Sequence, residues 1–84
     1  MTSDVIEKFI ESGKRKNRQV NIHFKTRKTI TGVFIESGDY QELKSKNFWR
    51  IVSGSRLEDW QKSQDLSLCR LFNGAEFTRL TDEQ

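Results

Sequence analysis

The sequence predicts a mainly β domain: a small, strongly bent five-stranded antiparallel barrel with an N-terminal helix and a short helical or loop insertion before a final hairpin. The 84 residues are too few for a second domain with its own core. The hydrophobic spacing changes from helical to alternating near residue 19, and Asn73-Gly74 separates two apolar runs near the end. Five short strands cannot form two packed sheets of useful size, whereas one bent sheet can close on itself.

A helix over about residues 4–12 is the first predicted element. Asp4 and Glu7 have the spacing of a capping box, in which side chains satisfy free amides of the first turn. The apolar side chains that recur at helical spacing are Ile6, Phe9 and Ile10. Gly13 suits the end of the helix, because glycine readily adopts the left-handed conformation found there. We expect the apolar face to cap one end of the barrel.

Two strands are predicted next, over about residues 19–25 and 29–36, with a turn at residues 26–28. In the first strand, apolar side chains alternate with polar ones and therefore share one face. This apolar set consists of Val20, Ile22 and Phe24. Gly32 lies in the middle of the second strand, where a larger side chain would obstruct a sharp bend.

Aromatic and β-branched side chains predict a third strand over about residues 47–52. The polar stretch before it, residues 40–47, is expected to be a loop or the frayed start of that strand. After it, Ser55 and Glu58 again have capping-box spacing. A helix and a loop both remain open for residues 53–65.

The final hairpin is predicted from strands over about residues 66–72 and 75–80, because Asn-Gly between strand-like runs is a strong hairpin signal. With a bulge at Gly74, the facing pairs are Arg70 with Glu76, Cys69 with Phe77, and Leu66 with Leu80. A plain two-residue turn instead pairs Leu71 with Glu76 and Arg70 with Phe77. The first register is favoured because it joins charged with charged and apolar with apolar residues.

Two glycine-containing stretches of the chain resemble a known family. They run from Val20 to Phe34 and from Leu71 to Phe77, and they are similar to the first two strands and the closing strand pair of the Sm and LSm family, including its Hfq-like members, and of related SH3-like small barrels. The resemblance implies a helix and five bent strands over about residues 4–80, an RNA pocket and assembly into rings. The family's uridine-binding signature would place an aspartate at position 38, where this chain has Gly38 followed by Asp39.

Positive charge is concentrated at the start of the chain. The 15 Lys and Arg against 12 Asp and Glu give a net charge of +3. Residues 1–28 hold eight basic and three acidic side chains, a net charge of +5, and the remainder carries −2. Such an asymmetry favours an anionic partner, although a solvated surface is the competing interpretation.

The candidate nucleic-acid-binding residues surround the first strand. The cations before it are Lys14, Arg15, Lys16 and Arg18, and those after it are Lys25, Arg27 and Lys28. They flank a strand face about 23 Å long, which suits a few nucleotides. His23 lies on the polar side of that strand, where it can stack on a base or donate to phosphate.

Aromatic side chains supply candidate stacking platforms. Phe48 and Trp49 are adjacent in one strand and must point to opposite faces, so one of them can be exposed. Trp49 and Tyr40, which lies in a polar stretch near Lys44 and Lys46, are the two aromatic candidates for the nucleic-acid site. Trp60 is expected to anchor the insertion onto the barrel.

Enzyme chemistry is not expected from this sequence. One cysteine and one histidine form neither an internal disulfide nor a zinc site, and no cofactor motif is present. Cys69 is interpreted as a small buried hydrophobic residue. No apolar run approaches the ~20 residues of a membrane span, so we expect a soluble, cytoplasmic protein without a membrane partner, metal or cofactor.

The sequence thus predicts a non-enzymatic module that binds single-stranded RNA through its basic N-terminal face. The alternative is a protein-interaction or self-assembly module, with a protein partner or a second copy docked on an open strand edge or on the Leu57/Trp60 insertion.

Overall fold

The computed structural model of this chain describes residues 1–12 and 18–82. In these ranges the helices are α1 (Ser3–Ser12), α2 (Tyr40–Ser45) and α3 (Leu57–Ser63). The strands are β1 (Val20–Phe24), β2 (Ile30–Phe34), β3 (Phe48–Ser53), β4 (Arg70–Asn73) and β5 (Phe77–Asp82). Short 3-10 helices lie at Gly54–Arg56, Leu66–Leu68 and Gly74–Glu76. Gly13, the predicted end of α1, lies outside the described residues.

Within the described residues, five strands form one antiparallel sheet in the order β4-β3-β2-β1-β5. Val20 of β1 lies opposite Gly32 of β2 on one side and opposite Asp82 of β5 on the other. Trp49 of β3 lies opposite Phe72 of β4. The prediction of a mainly β chain with an N-terminal helix and five antiparallel strands is confirmed.

The predicted hairpin between the last two strands is wrong. β4 and β5 occupy opposite edges of the sheet, so Arg70 lies opposite Ile51 and Phe77 lies opposite Phe24. The segment between them is a 3-10 helix, in which the Asn73 side chain accepts a hydrogen bond from the Ala75 amide at 2.9 Å. The Asn-Gly pair therefore begins a helical turn that sends the two strands to different partners.

Residues 40–47 also differ from the prediction of a loop or frayed strand, because α2 occupies most of them. The amides of Lys46 and Asn47 donate to Leu43 and Lys44 and close its last turn. Asn47 then adopts a left-handed conformation with φ of 62°, which asparagine tolerates better than most residues. In the insertion, the choice between helix and loop is resolved in favour of helix, with α3 following a 3-10 turn.

The sheet curls around its inner face, which we define as the face that α1 covers. Phe24 of β1 and Phe72 of β4 are three strand spacings apart, or about 14 Å in a flat sheet. Their ring centroids are only 5.6 Å apart, and Phe24 also meets Phe77 of β5 at 5.2 Å. Side chains of both edge strands therefore converge on the end of β1. Besides these three rings, the inner core contains Ile6, Ile10, Val20, Ile22, Phe34, Tyr40, Trp49, Ile51 and Leu80.

A smaller apolar cluster covers the outer face of β2 and β3. Val33, Ile35 and Val52 form its buried part. The half-buried residues packed against them are Leu57, Trp60, Leu68 and Cys69. Trp60 thus packs the insertion onto the sheet, as its position in the sequence predicts.

Gly32→Ala should lower the free energy of unfolding by about 1–3 kcal/mol, the usual cost of overpacking. The added Cβ would lie 2.6 Å from the Val52 carbonyl oxygen and 3.0 Å from Ile51 Cγ2, and the backbone atom cannot move without disturbing the ladder. Urea unfolding followed by circular dichroism measures the change.

The matched control is Gly38→Ala. A Cβ at Gly38 meets no atom of the described chain within 4 Å, and the φ of Gly38 is not positive. We expect its free energy of unfolding to stay within about 0.5 kcal/mol of the wild-type value. Equal losses in the two variants would contradict the close packing of β2 against β3.

Candidate nucleic-acid interface

The predicted cations divide into a part that the structure describes and a part that it does not. Lys14, Arg15 and Lys16 lie outside the described residues. Arg18 is exposed just before β1. The cations after β1 are exposed on the turn between β1 and β2, and they are Lys25, Arg27 and Lys28.

Arg27 lies against the aromatic edge of the inner core. Its guanidinium carbon is 5.3 Å from the ring centroid of Phe24 and 5.5 Å from that of Phe72. The guanidinium carbon of Arg70 lies 5.8 Å from the same Phe72 ring. Two guanidinium groups therefore meet at one aromatic side chain, although 42 residues separate them in sequence. The rings limit the freedom of both side chains through cation–π contact.

A groove of about 340 Å³ begins beside this pair, and we call it the arginine groove. Its apolar floor is formed by Ile30, Ile51, Leu68 and Phe72. Its polar rim includes Ser53, Arg56, Ser67 and Arg70. Arg70 reaches this groove because it lies opposite Ile51 and shares the inner face with it, at an edge where no further strand covers it.

The basic groups at this end of the sheet are not neutralised by the carboxylates that the structure describes. Elsewhere cations have ion-pair partners: Lys44 with Glu7, Lys46 with Glu42, Arg50 with Asp39, and Lys62 with Glu58. In residues 1–12 and 18–82, no carboxylate lies within ion-pair distance of the exposed cations Lys25, Arg27, Lys28, Arg56, Arg70 and Arg79. Their field is open to an anion from outside the chain.

His23 is half-buried on the outer face of β1, and both ring nitrogens have partners. Nε2 lies 3.2 Å from Thr81 Oγ1, and Nδ1 lies 3.1 Å from Thr29 Oγ1. Arg79 of β5 lies opposite His23 and adds a cation to this face. Because the hydroxyls already occupy the imidazole, phosphate could receive a hydrogen bond from His23 only by displacing a threonine.

The structure corrects the assignment of Trp49 as a stacking platform. The side chain is 2% exposed and its Nε1 donates to Asn47 Oδ1 at 2.8 Å. Its neighbour Phe48 is the exposed member of the pair, at 38%. The alternation of a strand requires that one aromatic be buried but does not specify which one.

Tyr40 is likewise removed from the binding surface. It is buried at the start of α2, edge-on to Trp49 with ring centroids 6.0 Å apart. Burial, together with the negative charges of Glu11, Glu36 and Glu7, raises the pKa of Tyr40 to about 12. No base can stack on a ring that is enclosed in this way.

Asp39, the carboxylate nearest to the family's aspartate position, is used in a structural ion pair. Its Oδ2 accepts a hydrogen bond from Arg50 Nη2 at 2.6 Å, and its Oδ1 accepts one from the Ser37 hydroxyl. These contacts, with the Ser37 hydrogen bond as the largest cause, hold the pKa of Asp39 below its usual 3.8.

Sequence reasoning did not identify Arg56, Arg70 and Arg79 as interface residues. The predicted hairpin placed Arg70 opposite Glu76, which would have neutralised it. A correct pairing of β5 with β1 would have placed Arg79 beside His23. For Arg56, no local pattern in the sequence indicates the groove.

Three further features concern other kinds of site. In the part of the chain that the structure describes, no three His, Cys, Asp or Glu side chains are grouped so as to hold a metal ion. None of the described helices is long and apolar enough to cross a membrane. Cys69 is half-buried, and this burial raises the pKa of its thiol, the opposite of what an activated nucleophile requires.

Comparison with protein-family models, with curated proteins and with solved structures finds no significant match to this chain. The geometry of the cations and aromatic rings is therefore the basis for a functional assignment.

Asp39→Asn should be destabilising at neutral pH and progressively less so in acid. Because the pKa of Asp39 is lowered on folding, its stabilising contribution is complete above pH 3.8 and is lost as the pH falls through the folded-state pKa. Urea unfolding of both proteins between about pH 6 and pH 3 should show the difference shrinking.

The control for this measurement is Asp59→Asn. It removes the same charge from an exposed α3 position with no ion-pair partner among the described residues. We expect a smaller dependence on pH than for Asp39→Asn. A difference between wild type and Asp39→Asn that stays constant with pH would contradict the role of the ion pair.

Proposed function

We propose that this chain is a non-enzymatic module that binds single-stranded nucleic acid, with RNA as its principal ligand. The phosphates contact a basic surface formed by the β1–β2 turn and the arginine groove, whereas Arg18 lies beyond the other end of β1. The observation on which this rests is the pair Arg27 and Arg70, held on Phe72 without a neutralising carboxylate in the described ranges.

Electrostatic repulsion within this group of cations favours an anionic ligand. Like charges at one end of the sheet raise the energy of the free protein, and each bound phosphate removes part of that repulsion. Contact with the Phe24 and Phe72 rings also restricts the Arg27 guanidinium before binding. Less side-chain entropy is then lost when phosphate binds than with a freely rotating lysine.

A single strand suits this surface better than a duplex. Guanidinium planes stack on unpaired bases, and the turn presents Arg27 beside Lys25 and Lys28. A duplex major groove is usually read by an exposed helix of several turns. The longest described helix, α1, instead carries Asp4, Glu7 and Glu11, which repel phosphate.

We propose further that the sheet belongs to the Sm-like or SH3-like small-barrel class, with a closed rather than an open form in solution. The curvature of the sheet and the contact between Phe24 and Phe72 support this relationship. The proposal concerns the fold and does not extend to the family's uridine pocket, because Asp39 and Tyr40 are committed to internal contacts.

The alternative function, docking of a protein or of a second copy, is favoured by one observation at the β4 edge. Leu71 is 51% exposed on the outer face of that edge strand, close to the exposed Phe48 of β3. An exposed strand edge with apolar side chains can pair with another chain. The Leu57/Trp60 insertion is the weaker docking candidate, since both side chains pack against the sheet.

Fluorescence anisotropy with a labelled single-stranded RNA of mixed sequence tests the primary function. Replacing Lys25, Arg27 and Lys28 together by Gln should weaken binding at least about tenfold at low salt. It should also lower the slope of log affinity against log salt by about 2, because each lost phosphate contact on a single strand removes about 0.7.

The matched control replaces Lys8, Lys46 and Lys62 by Gln, which removes the same number of charges from exposed positions on or beside helices. This variant should bind RNA nearly as well as the wild type. An equal loss of RNA affinity in both variants would mean that the effect comes from net charge alone. Absence of binding at about 50 mM salt would overturn the proposal. In that case, sedimentation of wild type and Leu71→Asp tests self-association through the β4 edge.

A further inference from the structure

The arginine groove combines an apolar floor with a basic rim. The accessible part of that floor comes from the half-buried Ile30 and Leu68, because Ile51 and Phe72 are almost completely buried. The rim contributes the guanidinium groups of Arg56 and Arg70. Arg27 and Arg70 both contact the Phe72 ring. A ligand that fits both surfaces has an apolar part joined to an anion.

The size of the groove limits the ligand to about one nucleotide. Its volume of about 340 Å³ is at the lower end of the ~300–1,000 Å³ typical of small-molecule sites. An extended strand would pass over the rim, whereas one base or ribose with its phosphate can be enclosed.

The rim can bind a phosphate without competition from a carboxylate in the lining of the groove. The lining residues include no Asp or Glu. Asp65, which lies near Ser67 in sequence, directs its Oδ1 to the Ser67 amide at 3.0 Å and caps the 3-10 helix. The Ser53 hydroxyl lies 3.1 Å from the Ser55 hydroxyl, so it can accept or donate at the rim.

We propose that the arginine groove binds a nucleoside monophosphate unit. The base or sugar lies on the half-buried Ile30 and Leu68, and Arg56 and Arg70 bind the phosphate. A phosphomonoester carries up to two negative charges and three terminal oxygens, which match separate guanidinium groups better than the single charge of an internal phosphodiester. The same unit occurs as a free nucleotide and as the phosphorylated end of a strand. This inference rests on the proposed function in one respect, because the groove is part of the proposed nucleic-acid-binding surface. Its preference for one nucleotide is independent of that function.

Isothermal titration with adenosine 5′-monophosphate, adenosine and inorganic phosphate tests the groove directly. The monophosphate should bind at least about tenfold more tightly than either fragment, because only it contacts both floor and rim. Arg56→Gln combined with Arg70→Gln should remove that advantage, while Lys62→Gln should leave it unchanged. Both arginines are exposed, and a urea unfolding curve for the double variant verifies its fold.

Anisotropy with two RNAs of one sequence, ending in a 5′-phosphate or a 5′-hydroxyl, separates the two sources of the ligand. A severalfold preference for the phosphorylated end, lost in the Arg56/Arg70 variant, assigns the groove to a strand end. Tight monophosphate binding without that preference assigns it to a free nucleotide. Both outcomes support the site.

Other results overturn the inference without deciding the proposed function. Equal affinity for inorganic phosphate and the monophosphate would reduce the groove to a simple anion site. Unchanged monophosphate binding in the Arg56/Arg70 variant would place the ligand elsewhere. RNA binding that depends on Lys25, Arg27 and Lys28 would persist in either case. Loss of RNA binding with retained nucleotide binding would refute only the proposed function.

Discussion

The packing of Phe24 against Phe72 and Phe77 is the interaction on which the shape of this protein depends. Phe24 ends β1, whereas the other two rings belong to the edge strands β4 and β5, and the centroid distances are 5.6 and 5.2 Å. Aromatic pairs contribute about 0.5–1.5 kcal/mol beyond the burial of their area. Because the contact between Phe24 and Phe72 draws the β4 edge toward β1, the sheet curls, α1 covers the enclosed core, and Arg27 lies against the same rings.

The connection between β4 and β5 packs closely against two other parts of the chain at Gly74. A Cβ on Gly74 would lie 2.6 Å from Ile6 Cδ1 and would collide with the Asn47 side chain. The Gly74 amide donates to the Asn47 carbonyl at 2.8 Å, and the Asn47 side chain accepts from Trp49. One glycine thus lets α1, the start of β3 and the β4–β5 connection meet. Its function here is to leave space, since its φ is not positive.

The same folding separates neutralised cations from free ones. Glu7 and Asp39 pair with Lys44 and Arg50 across different elements. The β1–β2 turn and the rim of the arginine groove have no such partner in residues 1–12 and 18–82. A modest net charge of +3 therefore includes a local group of unpaired cations, and this group, rather than the total charge, supports the proposal that the chain binds nucleic acid.

The local conformation of α1, β1 and β2 was determined by the sequence alone. Alternation in β1, the helical spacing of Ile6, Phe9 and Ile10, and the glycine that β2 needs for close approach to β3 are signals within a few residues. Pairing was decided only by the tertiary structure: Asn73-Gly74 favours a hairpin locally, yet Phe77 packs on Phe24 and takes β5 to the far edge. The burial of Trp49 instead of Phe48 depends on the register of β3, and the meeting of Arg27 with Arg70 depends on the packing of Phe72 against Phe24. The free energy gained by burying aromatic side chains from distant segments outweighs the turn preference of a few residues. A local sequence pattern cannot show this, because it does not reveal which distant side chains pack together.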